Sequence, residues 1–117
     1  QKLTNKEEEL MQHFWAHGAM FVRDVVLLYD DPKPHFNTIS TMVRTLESKG
    51  FLSHEAFGNT YRYLPIISQE EYSKGVLGNV VTRYFQNSYR SVVSALIEEE
   101  KISIDELEEL IRKVNNQ

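Results

Sequence analysis

The sequence predicts a mainly α fold with a small β-ribbon, and three observations predict it. Apolar residues recur at helical spacing in three short stretches of the first half. The period then changes to two short aromatic-rich runs on either side of Gly58-Asn59. From Gln69 onward it is helical again.

Thr4 opens the first helix. In Thr4-Asn5-Lys6-Glu7 the hydroxyl accepts a free backbone N–H and the glutamate three positions on returns the bond, a capping box. Glu7 to Glu9 suit the positive end of the helix dipole. Leu10, Met11, Phe14 and Trp15 make the apolar stripe, so Phe14 and Trp15 are core anchors, and Gly18 ends the helix. Val22, Val25, Val26 and Tyr29 predict a short second helix over 22–29, broken by Asp30-Asp31-Pro32-Lys33-Pro34. A third helix runs roughly from Asn37 to Lys49 and ends at Gly50, with Ile39, Met42, Val43 and Leu46 on its apolar side. Its other side carries Asn37, Thr38, Ser40, Thr41, Arg44, Thr45 and Ser48.

Phe51 to Phe57 and Tyr61 to Leu64 flank Gly58-Asn59 as the strands of a hairpin, closed by Pro65. Three helices followed by a two-stranded ribbon is the order of a winged helix-turn-helix, whose second motif helix lies in the major groove. Here that helix begins at Asn37. After Gln69 the stripe Tyr72, Val76, Val80, Tyr84 and Phe85 continues, past Asn87-Ser88, as Val92, Val93, Leu96 and Ile97. Ser103-Ile104-Asp105-Glu106 is a second capping box, opening a last helix with Leu107, Leu110, Ile111 and Val114. Amphipathic helices without a globular body of their own bury their stripes against a partner. The expected organisation is a winged-helix DNA-binding domain over 1–67 and a helical dimerisation domain over 68–117. The pairing residues would be Tyr72, Val76, Val80, Tyr84, Val92, Val93, Leu96, Leu107, Leu110 and Ile111.

A chain of 117 residues has room for one ordinary domain and no separate substrate domain. Cysteine is absent, which removes disulfides, thiolate metal sites and cysteine nucleophiles. No apolar run reaches the roughly 20 residues a membrane span needs, and the N-terminus shows no signal-peptide core, so a cytoplasmic protein is the expectation. No nucleotide-binding glycine motif, nucleophile elbow or paired-metal carboxylate pattern stands out, so neither an enzyme nor a cofactor is expected. His13 and His17 lie one turn apart, but two ligands are too few for a metal site, and His17 beside Gly18 complements the helix C-terminus instead.

The net charge of −4 opposes a nucleic-acid partner, because phosphate binding depends on Lys and Arg. The distribution softens the objection: residues 1–67 hold seven basic against eight acidic groups, and residues 68–117 hold six against nine. The acidity keeps a second reading in view, a winged-helix module for protein–protein assembly without DNA binding.

The ordered set of motifs resembles the penicillinase repressor family, the BlaI/MecI/CopY group, over essentially the whole chain. Leu3-Thr4 through Phe14-Trp15 is similar to the family's opening, and Phe21 to Val25 to its short second helix. Asn37 to Gly50 keeps the Thr-hydrophobic-x-Thr start and the Leu-x-x-Lys-Gly end of the family's recognition helix. Gly58 to Pro65 resembles the wing, and Ile104 to Leu110 the closing Glu-rich helix. The resemblance implies a homodimeric repressor of antibiotic-resistance or related genes that binds a palindromic operator. In the best-known branch, a membrane-bound sensor protease triggers its cleavage. Positions usually basic in the family's recognition helix fall on Asn37, Ser40 and Thr45, and the cleaved Asn-Phe pair falls on Ala95-Leu96. The copper-responsive branch carries a C-terminal cysteine motif, which this chain lacks.

The candidate DNA contacts follow. Thr38, Ser40 and Thr41 sit near a helix N-terminus, where hydroxyls and free N–H groups meet phosphates. Arg44, one turn on, is placed to fork onto a guanine edge. Asn37 and Thr45 complete the helix face. In the wing, Asn59, Thr60 and Arg62 are candidates for backbone or minor-groove contact. Tyr61 and Tyr63 face the other way from Arg62, and both can equally be core residues. Arg23, Lys33 and Lys49 are secondary phosphate candidates.

Overall fold

Thr4 starts the first helix as its neighbours dictate. Its hydroxyl accepts the Glu7 N–H at 3.2 Å, and the Glu7 carboxylate accepts the Thr4 N–H at 2.8 Å. In the computed structural model, which describes residues 2–116, this helix, α1, spans Asn5–His17. Gly18 ends it at φ 80°, its N–H returning to the Phe14 carbonyl at 2.8 Å. Only glycine adopts that backbone without strain.

Among the described residues there follow β1 (Met20–Phe21), α2 (Val22–Val26), α3 (Phe36–Ser48), β2 (Leu52–Phe57) and β3 (Thr60–Pro65). Then come α4 (Gln69–Tyr84), α5 (Tyr89–Glu98) and α6 (Ile104–Asn115). The chain divides into two compact units, one ending at Lys74 and the other beginning at Gly75.

The first unit is a winged helix. Phe57 pairs with Thr60 across the two-residue loop Gly58-Asn59, and Gly58 takes φ 60°, the glycine-first pattern of a II′ hairpin. The ribbon is one strand wider than predicted. Met20 and Phe21 pair antiparallel with Tyr63 and Arg62, giving the order β1-β3-β2. Two residues are too few to show alternation, and their partner is far along the chain.

The second helix is shorter than its stripe predicts, ending at Val26 instead of running over 22–29. The Leu28 and Tyr29 N–H groups bond to the Val25 and Val26 carbonyls three residues back, at 3.0 and 3.3 Å, which tightens the chain out of α geometry, and the Lys33 ammonium caps the Leu27 carbonyl at 3.3 Å and the Tyr29 carbonyl at 2.6 Å. The third helix begins at Phe36, one residue earlier than predicted, because the His35 ring Nδ1 accepts the Asn37 N–H at 3.0 Å as N-cap.

Leu10, Met11 and Phe14 of α1 meet Val25, Ile39, Val43, Leu46, Leu52 and Tyr63 in one buried cluster. Polar ties reach round it. The Trp15 indole N–H donates to the Ile67 carbonyl at 2.8 Å, and the Tyr72 hydroxyl to the Glu8 carboxylate at 2.6 Å. Burial first, and then Glu8, push the Tyr72 phenol up to about 12, so it stays a donor. Lys49 Nζ donates to both oxygens of the buried Glu7 carboxylate, at 2.8 and 3.0 Å.

The second unit holds α5, α6 and most of α4. Ser103 and Glu106 form the predicted capping box. Here Val81 is fully buried, while Val76, Leu77, Val80, Tyr84, Val93, Leu96, Leu110, Ile111 and Val114 are exposed. Val92 and Leu107 are half-buried.

Burial pushes the Glu7 carboxyl up, but the bonds from Lys49 and Thr4 outweigh it and hold it below the ordinary carboxylate value. A depressed carboxyl contributes stability that is present above its unfolded pKa and lost as pH falls through the folded one. Glu7→Gln keeps the capping acceptor and removes the charge, so it should lower the unfolding free energy by about 1–3 kcal/mol at neutral pH. The deficit should shrink below about pH 4. Denaturant titrations at both pH values check this.

Candidate nucleic-acid interface

Three apolar positions fix the direction in which α3 presents its polar residues. Ile39, Val43 and Leu46 are buried and Met42 is half-buried, which turns Asn37, Thr38, Thr41, Arg44 and Thr45 to solvent. The Thr41 hydroxyl donates to the Asn37 carbonyl at 3.0 Å, and the Thr45 hydroxyl to the Thr41 carbonyl at 3.1 Å. These back-bonds use each hydroxyl's proton and hold its side chain in one rotamer, with oxygen lone pairs free to accept. Arg44 Nη2 reaches the Thr41 hydroxyl at 3.4 Å, which steadies the guanidinium over the middle of the helix.

A cleft of about 330 Å³ opens between α3 and the wing. Phe36, Ser40 and Arg44, spaced four apart, form its helix side, and Asn59, Thr60, Tyr61 and Tyr63 its wing side. Phe21, Val22 and Arg23 complete the lining. Five of the predicted contacts thus come together: Ser40 and Arg44 on the helix, Asn59 and Thr60 at the wing tip, and Arg23 between them.

The two wing tyrosines divide. Tyr63 is buried, and its phenol is pushed up by burial, then by Glu47, against an opposing effect of Arg44. Tyr61 stays 49% exposed, its ring 4.3 Å from that of His54. His54 in turn donates from Nδ1 to the Glu47 carboxylate at 2.6 Å. Arg62 lies apart from the cleft. Its Nη2 donates to Glu55 at 3.0 Å, and its guanidinium stands 4.8 Å from the centre of the Phe57 ring.

The remaining basic candidates separate in the same way. Lys33 is held by the Leu27 and Tyr29 carbonyls, and Lys49 by Glu7. Arg23 is exposed and lies 5.6 Å from the Phe21 ring centre. Among the pairing candidates, Tyr72 sits in the first unit, its ring 5.6 Å from those of Trp15 and Phe51, whereas the candidates from Val76 to Ile111 lie in the second.

Phe36 and Tyr61 are exposed cleft residues outside the predicted contact set, beside Phe21, Val22 and Tyr63. The signal for Phe36 is its four-residue spacing from Ser40 and Arg44, which a helix beginning at Asn37 leaves out. Tyr61 could be placed only once the strand faces were known.

The chain has relatives among known proteins. It is 26% identical over 114 residues to the penicillinase repressor of Bacillus licheniformis, covering 93% of this chain and 86% of that protein. It is 23% identical over 117 residues to the methicillin resistance regulatory protein MecI of Staphylococcus aureus, covering 97% and 94%. The MecI protein of Mammaliicoccus sciuri is 24% identical over 119 residues with the same coverage. The penicillinase repressor family model matches from residue 3 to residue 116, and the chain belongs to that family.

Proposed function

We propose that this chain is a DNA-binding transcriptional repressor without enzymatic activity, acting as a homodimer on a palindromic operator. The genes under its control are of the antibiotic-resistance, β-lactamase type or related to it. The observation that carries the reading is the cleft between α3 and the wing, where Arg23 and Arg44 stand beside Ser40, Asn59 and Thr60. With α3 in a major groove and the wing tip against the neighbouring minor groove, one sugar–phosphate strand passes between them. That strand meets Arg23. Asn37, Thr38, Thr41 and Thr45 face the groove, with Arg44 forked onto a guanine edge.

The homodimer rests on the second unit, whose exposed large apolar side chains are the composition of an interface core. Repeating the first unit about a two-fold axis gives a symmetric protein and hence a symmetric operator. Relief by a membrane-bound sensor protease belongs to the same reading. Ala95-Leu96 lies inside α5, so cleavage there requires α5 to unwind locally.

Three results test this. Arg44→Ala should weaken operator binding by about 1–3 kcal/mol and relax preference at one base position per half-site, measured by titration against single-base operator variants. Arg23→Ala should weaken binding evenly across sequences and make the logarithmic salt dependence shallower by about one phosphate's worth. Leu96→Asp should raise the dimer dissociation constant by at least about a hundredfold, seen by sedimentation, because a charge replaces buried apolar surface.

A further inference from the structure

Phe36 is 51% exposed and lies outside the buried cluster, although it opens a helix whose other apolar residues are buried or half-buried. It occupies the first position of α3, four and eight residues ahead of Ser40 and Arg44, and lines the same cleft. Tyr61, also half-exposed, lines the opposite wall. A basic, hydroxyl-lined cleft therefore carries a half-exposed aromatic ring on each wall.

The surface of duplex DNA offers few apolar groups. On the base edges of the major groove the only one is the 5-methyl of thymine, and phenylalanine is among the side chains that contact it. That methyl stands at the margin of the groove beside its own backbone, within reach of an exposed residue that lines this cleft. The first turn of a recognition helix is also the part that approaches base edges. We infer that Phe36 is a specificity-determining residue that reads a thymine 5-methyl group in each operator half-site. The inference rests on the reading of α3 as the major-groove helix and adds the identity of one base.

Replacing each thymine of a bound operator singly by deoxyuridine removes the methyl and nothing else. The wild-type chain should lose about fourfold in affinity at one thymine per half-site, the value of one buried methyl-sized group. Phe36→Ala should bind the thymine and uracil duplexes equally at that position, and Phe36→Leu, the milder change, should keep part of the difference. A wild-type chain that binds its operator with undiminished affinity after every replacement overturns the inference while leaving DNA binding intact. So does a Phe36→Leu or Phe36→Ala variant that retains the full wild-type difference, because another residue then reads the methyl. A wild-type chain that holds no duplex at any salt overturns both this inference and the reading beneath it.

Discussion

Ile39, Val43 and Leu46 hold α3 by one face only, and every functional possibility of the first unit depends on that. Each is at most 1% exposed, packed in the cluster that also contains Leu10, Phe14, Val25 and Leu52. A helix fixed this way presents its opposite face with little freedom left to lose on binding. The Lys49 bond to Glu7 ties the C-terminal end of α3 to the first turn of α1, and the His35 ring closes its N-terminal end. The back-bonded hydroxyls of Thr41 and Thr45 continue the same economy at the level of side chains.

An acidic chain has few cations to spare, and the structure shows how this one divides them. Lys33, Lys49 and Arg62 are engaged with backbone or carboxylate partners. Arg23 and Arg44 line the cleft. In the proposed reading few phosphates are neutralised per protomer, so modest affinity at each half-site makes pairing through the second unit necessary. The exposed apolar side chains of that unit fit this need.

Much of the fold was legible because its signals are local. The capping boxes at Thr4-Glu7 and Ser103-Glu106, the glycine after α1 and the Gly58-Asn59 hairpin each involve residues a few positions apart, and each stands as predicted. What escaped depends on distant partners. β1 exists because Tyr63 and Arg62 lie beside it, and the turn that follows α2 is closed by Lys33, which caps the Leu27 and Tyr29 carbonyls. The site divides along the same line. Periodicity picked out the outward face of α3, whereas Phe36 and Tyr61 join the cleft only through the approach of α3 to the wing. The division of the cations could not be read from composition, since what ties down Lys49 is the Glu7 carboxylate, 42 residues away in the chain.

Selection of bound duplexes from a random pool tests the central claim most directly, because it asks at once whether the first unit reads bases and whether two copies do so together. The expected result is an inverted repeat whose half-sites lie about one helical turn apart. Enrichment of a single unsymmetric site, or of no sequence at all, contradicts it.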